Sequence, residues 1–176
     1  SEADTIDAYS NTSGTVTLSR LIDTVDNITA VENNANISLD TSAITVTDAA
    51  TLVNATVING FTARRVSLNV VEDTNNNINS LKSLIDLGIL NVSFSSAAVT
   101  VTDAVTKAQA DTLNGFTNQK VTLNSVEDNY ANIQLIKAID TAAVDMDAAA
   151  VKVTDNVTKT EVDDLRTDTT GNITLT

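Results

Sequence analysis

VTVTDAVTKAQADTLNGFTNQKVTLNSVEDNYAN, residues Val99–Asn132, contains most of a pattern that the chain repeats. A stretch that begins 55 residues earlier, at Ile44, reads ITVTDAATLVNATVINGFTARRVSLNVVEDTNNN. A third, more divergent copy begins at Val151 with VKVTDNVTKTEVDDL and ends in GNITLT. Self-similarity at a fixed long period is typical of repeat architectures. The sequence therefore predicts one repeat domain over residues 1–176, with a partial unit at 1–14 and units at 15–65, 66–120 and 121–176.

Three types of short strand recur, each with apolar residues at alternate positions and polar residues between them. A period of two with one polar face predicts a strand that is buried on one side. The first type contains Val16/Leu18, Val66/Leu68, Val121/Leu123 and Ile173/Leu175, the second contains Ile37/Leu39, Val92/Phe94 and Val144/Met146, and the third contains Ile44/Val46, Val99/Val101 and Val151/Val153.

Two helices are predicted in each copy. The first follows the first strand type, where apolar residues such as Ile78, Leu81 and Leu84 recur three residues apart. The second follows the third strand type, where Thr106-Lys-Ala-Gln109 and Thr158-Lys-Thr-Glu161 match the capping box. Gly60 and Gly115 are predicted to end this second helix with a positive φ angle.

No single copy can bury its own apolar faces, because each strand is so short. Stacking of copies solves this, with like strands pairing in parallel and helices covering one face. The sequence therefore predicts an α/β repeat protein, a right-handed solenoid of ~55-residue units with stacked parallel short strands and short helices. The alternative is a compact α/β sandwich built from the same elements.

Composition excludes several classes of function. A formal charge of −13 disfavours binding to nucleic acid and to anionic membranes, and no apolar run is long enough to insert into a bilayer. The chain contains no His and no Cys, which excludes Ser-His-Asp and Cys-His catalysis and zinc-thiolate sites. We therefore predict a protein that is not an enzyme.

Carboxylates are the remaining candidate site residues. The pairs Glu72/Asp73 and Glu127/Asp128 could serve acid–base hydrolysis, but they recur in equivalent places, as structural residues do. Weak calcium sites are considered at Asp48, Asp103, Asp155, Asp145 and Asp147, because hard oxygen ligands at turns can hold Ca²⁺. The competing interpretation is that each of these aspartates makes an Asx turn or caps the next helix. No cofactor is predicted, and calcium is the one ion considered.

The phrases VTVTDAVTKAQADTLNGFT and ITVTDAATLVNATVINGFT resemble the tandem repeats of very large secreted or cell-surface proteins from cyanobacteria and other aquatic bacteria. The resemblance covers nearly the whole chain. It implies an extracellular or cell-surface location and a structural or adhesive role, as in adhesins and surface-layer proteins, with no enzymatic residues to carry over.

Two functions are compatible with this resemblance. The leading hypothesis is a structural module, an acidic spacer or self-assembling scaffold whose ends join by strand stacking. Its partner would be a second copy in a head-to-tail homo-oligomer, or neighbouring repeats of a longer chain. The predicted assembly edge consists of Ile173, Leu175, Val16 and Leu18. The alternative is a glycan- or surface-binding adhesin module, for which Tyr9 and Tyr130 are the aromatic candidates.

Overall fold

A computed structural model of the chain describes residues 14–139 and 143–176. This part is an α/β fold with mostly parallel strands in a sheet and six helices. The strands are β1 (Val16–Thr17), β2 (Arg20–Asp23), β3 (Ile37–Ser38), β4 (Ala43–Ala50), β5 (Val66–Asp73), β6 (Val92–Ser93), β7 (Ala98–Val105), β8 (Val121–Asp128), β9 (Val144–Asp145), β10 (Ala150–Val153) and β11 (Ile173–Leu175). The helices are α1 (Val25–Glu32), α2 (Leu52–Asn59), α3 (Asn75–Asp86), α4 (Lys107–Asn114), α5 (Tyr130–Lys137) and α6 (Lys159–Asp168).

The chain forms two compact units. Of the described residues, the first unit contains 14–70 together with Ser80–Phe94, and the second contains Val71–Asn79, 95–139 and 143–176. In the first unit the strand order is β2-β4-β5, with β6 paired to the start of β5, while β1 and β3 form a separate parallel pair. In the second unit the parallel order is β7-β8-β10-β11, with β9 paired to the start of β8.

The apolar positions predicted from the period of two form the core. Val99 and Val101 of β7 are fully buried, and so are Val121 of β8 and Val151 of β10. The helices add apolar residues such as Ile133, which is also fully buried. Burying an aliphatic side chain of this size contributes about 1.5–3 kcal/mol, so a core with few aromatics is sufficient to hold these layers.

The expectation that like strands pair with one another is wrong. The third-type strands β7 and β10 both pair with the first-type strand β8, which lies between them. Val101 therefore lies beside Leu123, and Val153 lies beside Asp128 and Leu175. The reason is that first-type and third-type strands alternate along the main strand order, so that equivalent strands are separated by one strand of the other type.

The positive φ angles predicted at Gly60 and Gly115 are also absent. Both glycines cap their helices in the right-handed region, with φ of −69° and −75°. The last turn instead tightens, and the Gly60 amide donates to the carbonyl of Val57 at 3.0 Å. Among the described residues only Gly88, which follows α3, has a positive φ, at 70°. There the amides of Gly88 and Ile89 satisfy carbonyls of the last turn of α3.

Candidate functional site

The most regular set of chemically active side chains consists of aspartates at the carboxyl ends of the strands, which we call the aspartate row. It comprises Asp48 near the end of β4, Asp103 near the end of β7, Asp128 at the end of β8 and Asp155 just after β10. The pairing of β7 with β8 shifts register between Val101 and Ala104, so Asp103 lies in a β-bulge, a feature that redirects side chains.

Asp128 is the best-connected member of the aspartate row. Its Oδ1 accepts hydrogen bonds from the amide of Asn129 and from Nδ2 of Asn132, both at 2.8 Å. Its Oδ2 accepts from the amide of Lys107 at 2.9 Å, which is the first residue of α4. One carboxylate therefore holds the start of the helix that follows its own strand and the start of the helix that follows the neighbouring strand.

The other members make the second of these contacts in the same way. Oδ1 of Asp48 accepts from the amide of Val25 at 2.9 Å, and Oδ1 of Asp103 accepts from the amide of Asn75 at 2.7 Å. Oδ1 of Asp155 accepts from the amide of Tyr130 at 2.9 Å. Each amide belongs to the first residue of a helix, where no intrahelical acceptor exists and the helix dipole favours negative charge. The aspartate row therefore acts as a set of helix caps.

These bonds set the protonation behaviour of Asp128. Burial raises the pKa of its carboxyl, but the hydrogen bonds from Lys107, Asn132 and Asn129 stabilise the charged form more strongly and lower the pKa overall. The pKa of Asp145 is also lowered, chiefly by its hydrogen bond with Lys120 and by the amide of Asp147. A carboxylate held in this way is a poor general acid and a poor nucleophile.

The lowered pKa of Asp128 gives a pH dependence. In the unfolded chain the Asp128 carboxyl titrates near pH 4, and in the folded protein it titrates at a lower pH. The stabilisation that the Asp128 carboxylate gives the fold is therefore present above about pH 4, and it is lost as the pH falls through the pKa of the folded state. We expect the free energy of unfolding from urea titrations to decrease below about pH 4, and to decrease less steeply in Asp128→Asn. If the free energy of unfolding decreases equally steeply with falling pH in the two proteins, Asp128 has the same pKa in the folded and unfolded states.

The five aspartates considered for calcium make hydrogen bonds and ion pairs within the protein. The three strand-end aspartates among them each direct an oxygen at a helix amide, as described. Asp145 forms an ion pair with Lys120 and accepts from the amide of Asp147, while Asp147 lies 3.2 Å from Nζ of Lys137. Within residues 14–139 and 143–176, no three acidic side chains converge in a group that could hold a metal ion.

The acid pair Glu127 and Asp128 occupies neighbouring positions of β8, and successive side chains of a strand point to opposite faces. Oε1 of Glu127 lies 2.7 Å from Nζ of Lys152 on the adjacent strand, and both side chains are substantially exposed. An open depression of about 370 Å³ adjoins the pair, lined also by Val105, Thr106 and Thr154. The structure does not bring these two carboxylates together as an acid–base pair across an enclosed cleft.

The predicted assembly edge is divided between different strands. Ile173 and Leu175 belong to β11, the last strand of its sheet, and Leu175 is 50% exposed. Val16 belongs to β1, which pairs with β3 rather than with the main sheet, and Leu18 lies between β1 and β2. The sheet edge of the first unit is instead β2, which pairs with β4.

The structure describes one of the two aromatic candidates for glycan binding. Tyr9 lies outside the described residues. Tyr130 is half-buried at the start of α5, and its hydroxyl donates to Oδ2 of Asp164 at 3.2 Å. Its ring and its hydroxyl are therefore both partly engaged within the protein.

One recurrent feature was missed in the sequence, the threonine after the second helix of each copy. Thr62, Thr117 and Thr169 are buried, and their hydroxyls donate to the carbonyls of Ser42, Ala97 and Ala149 at 2.6–2.7 Å. Each also accepts from the amide two residues later. The motif NGFT contained the signal, because a polar residue that recurs where the core is expected implies a buried hydrogen bond.

Comparisons with known proteins give no relative: no family model, no curated protein and no solved structure matches the chain. In the part of the chain that the structure describes, no helix combines the length and the apolar character needed to cross a membrane.

Proposed function

We propose that the protein is a structural repeat module of an extracellular surface protein or filament. It acts as an acidic spacer and self-assembling scaffold, and its copies join end to end by strand pairing. The finer fold that we propose is the right-handed α/β solenoid of ~55-residue units. The extracellular location rests on the resemblance to secreted and cell-surface tandem repeats. The role is structural rather than enzymatic.

The observation that carries the proposal is the outer edge of β11. Strand β11 uses the carbonyl of Asn172 and the amide of Thr176 to bond to Val151 and Val153 on its inner side. Residues of a strand alternate in the side to which their backbone groups point, so Ile173 and Leu175 direct their amides outward. Among the described residues these two amides have no acceptor, and such an edge is a template for another strand.

The chemistry of the carboxylates supports the same conclusion. The carboxylates of the aspartate row accept hydrogen bonds from helix amides, and Glu127 forms an ion pair with Lys152. Every buried side-chain nitrogen or oxygen of the described residues has a hydrogen-bond partner. Polar groups whose hydrogen bonds are satisfied within the fold are typical of a scaffold, whereas catalytic sites contain polar groups that are free to contact a substrate.

The net charge determines the conditions for assembly. A charge of −13 on each copy opposes association through long-range repulsion, which salt screens over a Debye length of about 8 Å at physiological ionic strength. Assembly should therefore strengthen as salt is added. Sedimentation velocity over a range of protein and salt concentrations measures this directly.

A proline at the edge tests which strand is used. We expect Leu175→Pro to abolish assembly in sedimentation, because proline removes the outward amide, while the bonds to β10 through Asn172 and Thr176 remain. The matched control is Leu175→Thr, which keeps the amide and favours a strand, and should assemble like the parent. If Leu175→Pro assembles as well as Leu175→Thr, the outer edge of β11 is not the joining surface.

A further inference from the structure

Arg64 and Arg65 of the first unit are adjacent in the chain and both exposed, and we call them the arginine pair. They lie in the turn that precedes β5. The amide of Ala63 donates to the carbonyl of Asp40 at 2.9 Å, and the amide of Arg64 donates to the hydroxyl of Thr62 at 3.0 Å. The two guanidinium groups therefore extend from a turn that is already ordered, which lowers the entropic cost of binding a partner.

The second unit has an acidic residue where the first unit has none. Lys120 is the residue before β8, as Arg65 is the residue before β5, and it forms an ion pair with Asp145 of β9. The registers of β5 with β6 and of β8 with β9 place Ser93 at the position equivalent to Asp145. Every lysine of the chain forms an ion pair, whereas the arginine pair forms none with a described residue. The arginine pair is therefore exposed at a position where the repeat elsewhere supplies a carboxylate.

Helix α6 of the second unit carries the opposite charge. Glu161, Asp164 and Asp168 are three and four residues apart, so they lie on one face of the helix, which we call the acidic stripe. Desolvation and the charges of all three carboxylates raise the pKa of the Tyr130 hydroxyl, so these carboxylates act on the same small region. Their donors among the described residues are neutral groups, and the basic residues of α6 pair with Asp163 instead.

The two units also differ in overall charge. In the described part of the chain, the second unit has more than twice as many acidic as basic residues, whereas the two kinds are more nearly balanced in the first unit. A guanidinium group can bond a carboxylate through two parallel N–H groups, which makes arginine well suited to such a partner. A second copy of the chain thus carries the carboxylates that the arginine pair lacks.

We infer that the arginine pair of one copy binds the acidic stripe of a second copy, side by side. Exposed ion pairs contribute little individually, so the contact determines the relative orientation of copies and is strengthened where many copies repeat it. Salt weakens this contact, in contrast to its effect on end-to-end joining. The contact goes beyond the end-to-end joining proposed above and uses no residue of β11.

Cross-linking of two single variants, Arg64→Lys and Arg65→Lys, tests the inference. A carbodiimide condenses an amine with a carboxylate to an amide, with loss of water, so each lysine reports the carboxylate that it contacts while the other arginine remains. Copies labelled with heavy nitrogen are mixed with unlabelled copies, and mass spectrometry then identifies the amides that join two copies. We expect such amides between positions 64 or 65 and the acidic stripe. The ion pair of Lys152 with Glu127 should give an amide within one copy and shows that the reaction has worked.

Gln119→Lys is the matched control, because Gln119 is the exposed counterpart of Arg64 in the second unit and its replacement leaves the arginine pair intact. Amides that join two copies at the acidic stripe should be roughly tenfold more abundant from positions 64 and 65 than from position 119, because the contact raises the effective concentration of the two groups. Their yield should fall as salt is added.

The same measurement in the Leu175→Pro background separates this contact from end-to-end joining. Amides to the acidic stripe that persist in this background support a sideways contact, whether or not the parent assembles end to end. Equal yields from positions 64, 65 and 119 would overturn the contact. Amides from positions 64 and 65 to carboxylates outside α6 would overturn it as well, and neither result affects the role proposed for β11.

Discussion

Gly171→Ala should destabilise the protein by about 3 kcal/mol, the upper part of the range for overpacked sites. A Cβ added to Gly171 would lie 2.5 Å from the carbonyl carbon of Ala149 and closer still to its oxygen, and 2.9 Å from the carbonyl oxygen of Ala148. These are backbone atoms, so no side-chain rotation relieves the overlap. The chain would have to move β11 away from β10, and the bond between Val151 and Asn172 would be lost.

Gly14→Ala is the matched control, because Gly14 precedes β1 as Gly171 precedes β11, and nothing lies within 4 Å of a Cβ added there. It should leave stability unchanged or slightly increased, since alanine lowers the entropy of the unfolded chain. Thermal denaturation measures the difference, and we expect Gly171→Ala to melt about 6–12 °C below the control, at roughly 2–4 °C per kcal/mol for a protein of this size. Equal melting temperatures would mean that the backbone around Gly171 is more open than the structure shows.

Asp128→Ala should have the second largest effect, a loss of about 2–3 kcal/mol. The substitution removes three hydrogen bonds at the starts of α4 and α5, and each such bond contributes about 0.5–1.5 kcal/mol. The N-cap residues of the two helices, Thr106 and Asn129, remain. The substitution leaves the amides of Lys107 and Asn129 and Nδ2 of Asn132 without their acceptor. Urea denaturation at neutral pH measures the change in the free energy of unfolding.

The adjacent Glu127 provides the control. Glu127→Ala removes the ion pair with Lys152, which is exposed and should contribute less than about 1 kcal/mol. If Asp128→Ala costs no more than Glu127→Ala, the aspartate row consists of surface carboxylates, and its role in joining strands to helices is wrong.

Much of the secondary structure could be predicted from the sequence because its signals are local. Alternation at Val99 and Val101 locates β7, and the capping boxes at Thr106 and Thr158 locate the starts of α4 and α6. A third capping box, formed by Thr51 and Asn54, does not match the usual pattern, since asparagine replaces glutamate or glutamine.

The pairing of strands was not predictable in the same way. The period of two shows which side of β7 is buried but does not identify its neighbour, because β8 and β10 have the same alternation. The end of α2 was mispredicted for a related reason. An Asn-Gly pair at 59–60 is compatible both with a positive φ and with a tightened last turn, and the contacts that follow the helix decide between them.

The sequence identified the residues of the candidate site but not the contacts that they make. The aspartates could be identified from TVTD and VED, but the interpretation that each caps the next helix was wrong, because Asp48, Asp103 and Asp155 each cap a helix that precedes them in the chain. The helix that each one caps depends on which strand lies alongside, and this is a property of the sheet. The cap from Asp128 to Lys107 spans 21 residues and the cap from Asp103 to Asn75 spans 28, so no local motif contains them.

Fibre diffraction from aligned assemblies of the unmodified protein tests the central claim most directly. If copies join by continuing the sheet, strands lie across the filament and repeat along it. A reflection near 4.8 Å should then appear on the meridian, with electron micrographs of the same sample showing filaments. The claim would be contradicted by a 4.8 Å reflection on the equator, or by micrographs that show only separate 18.5 kDa particles at high protein concentration, high salt and millimolar calcium.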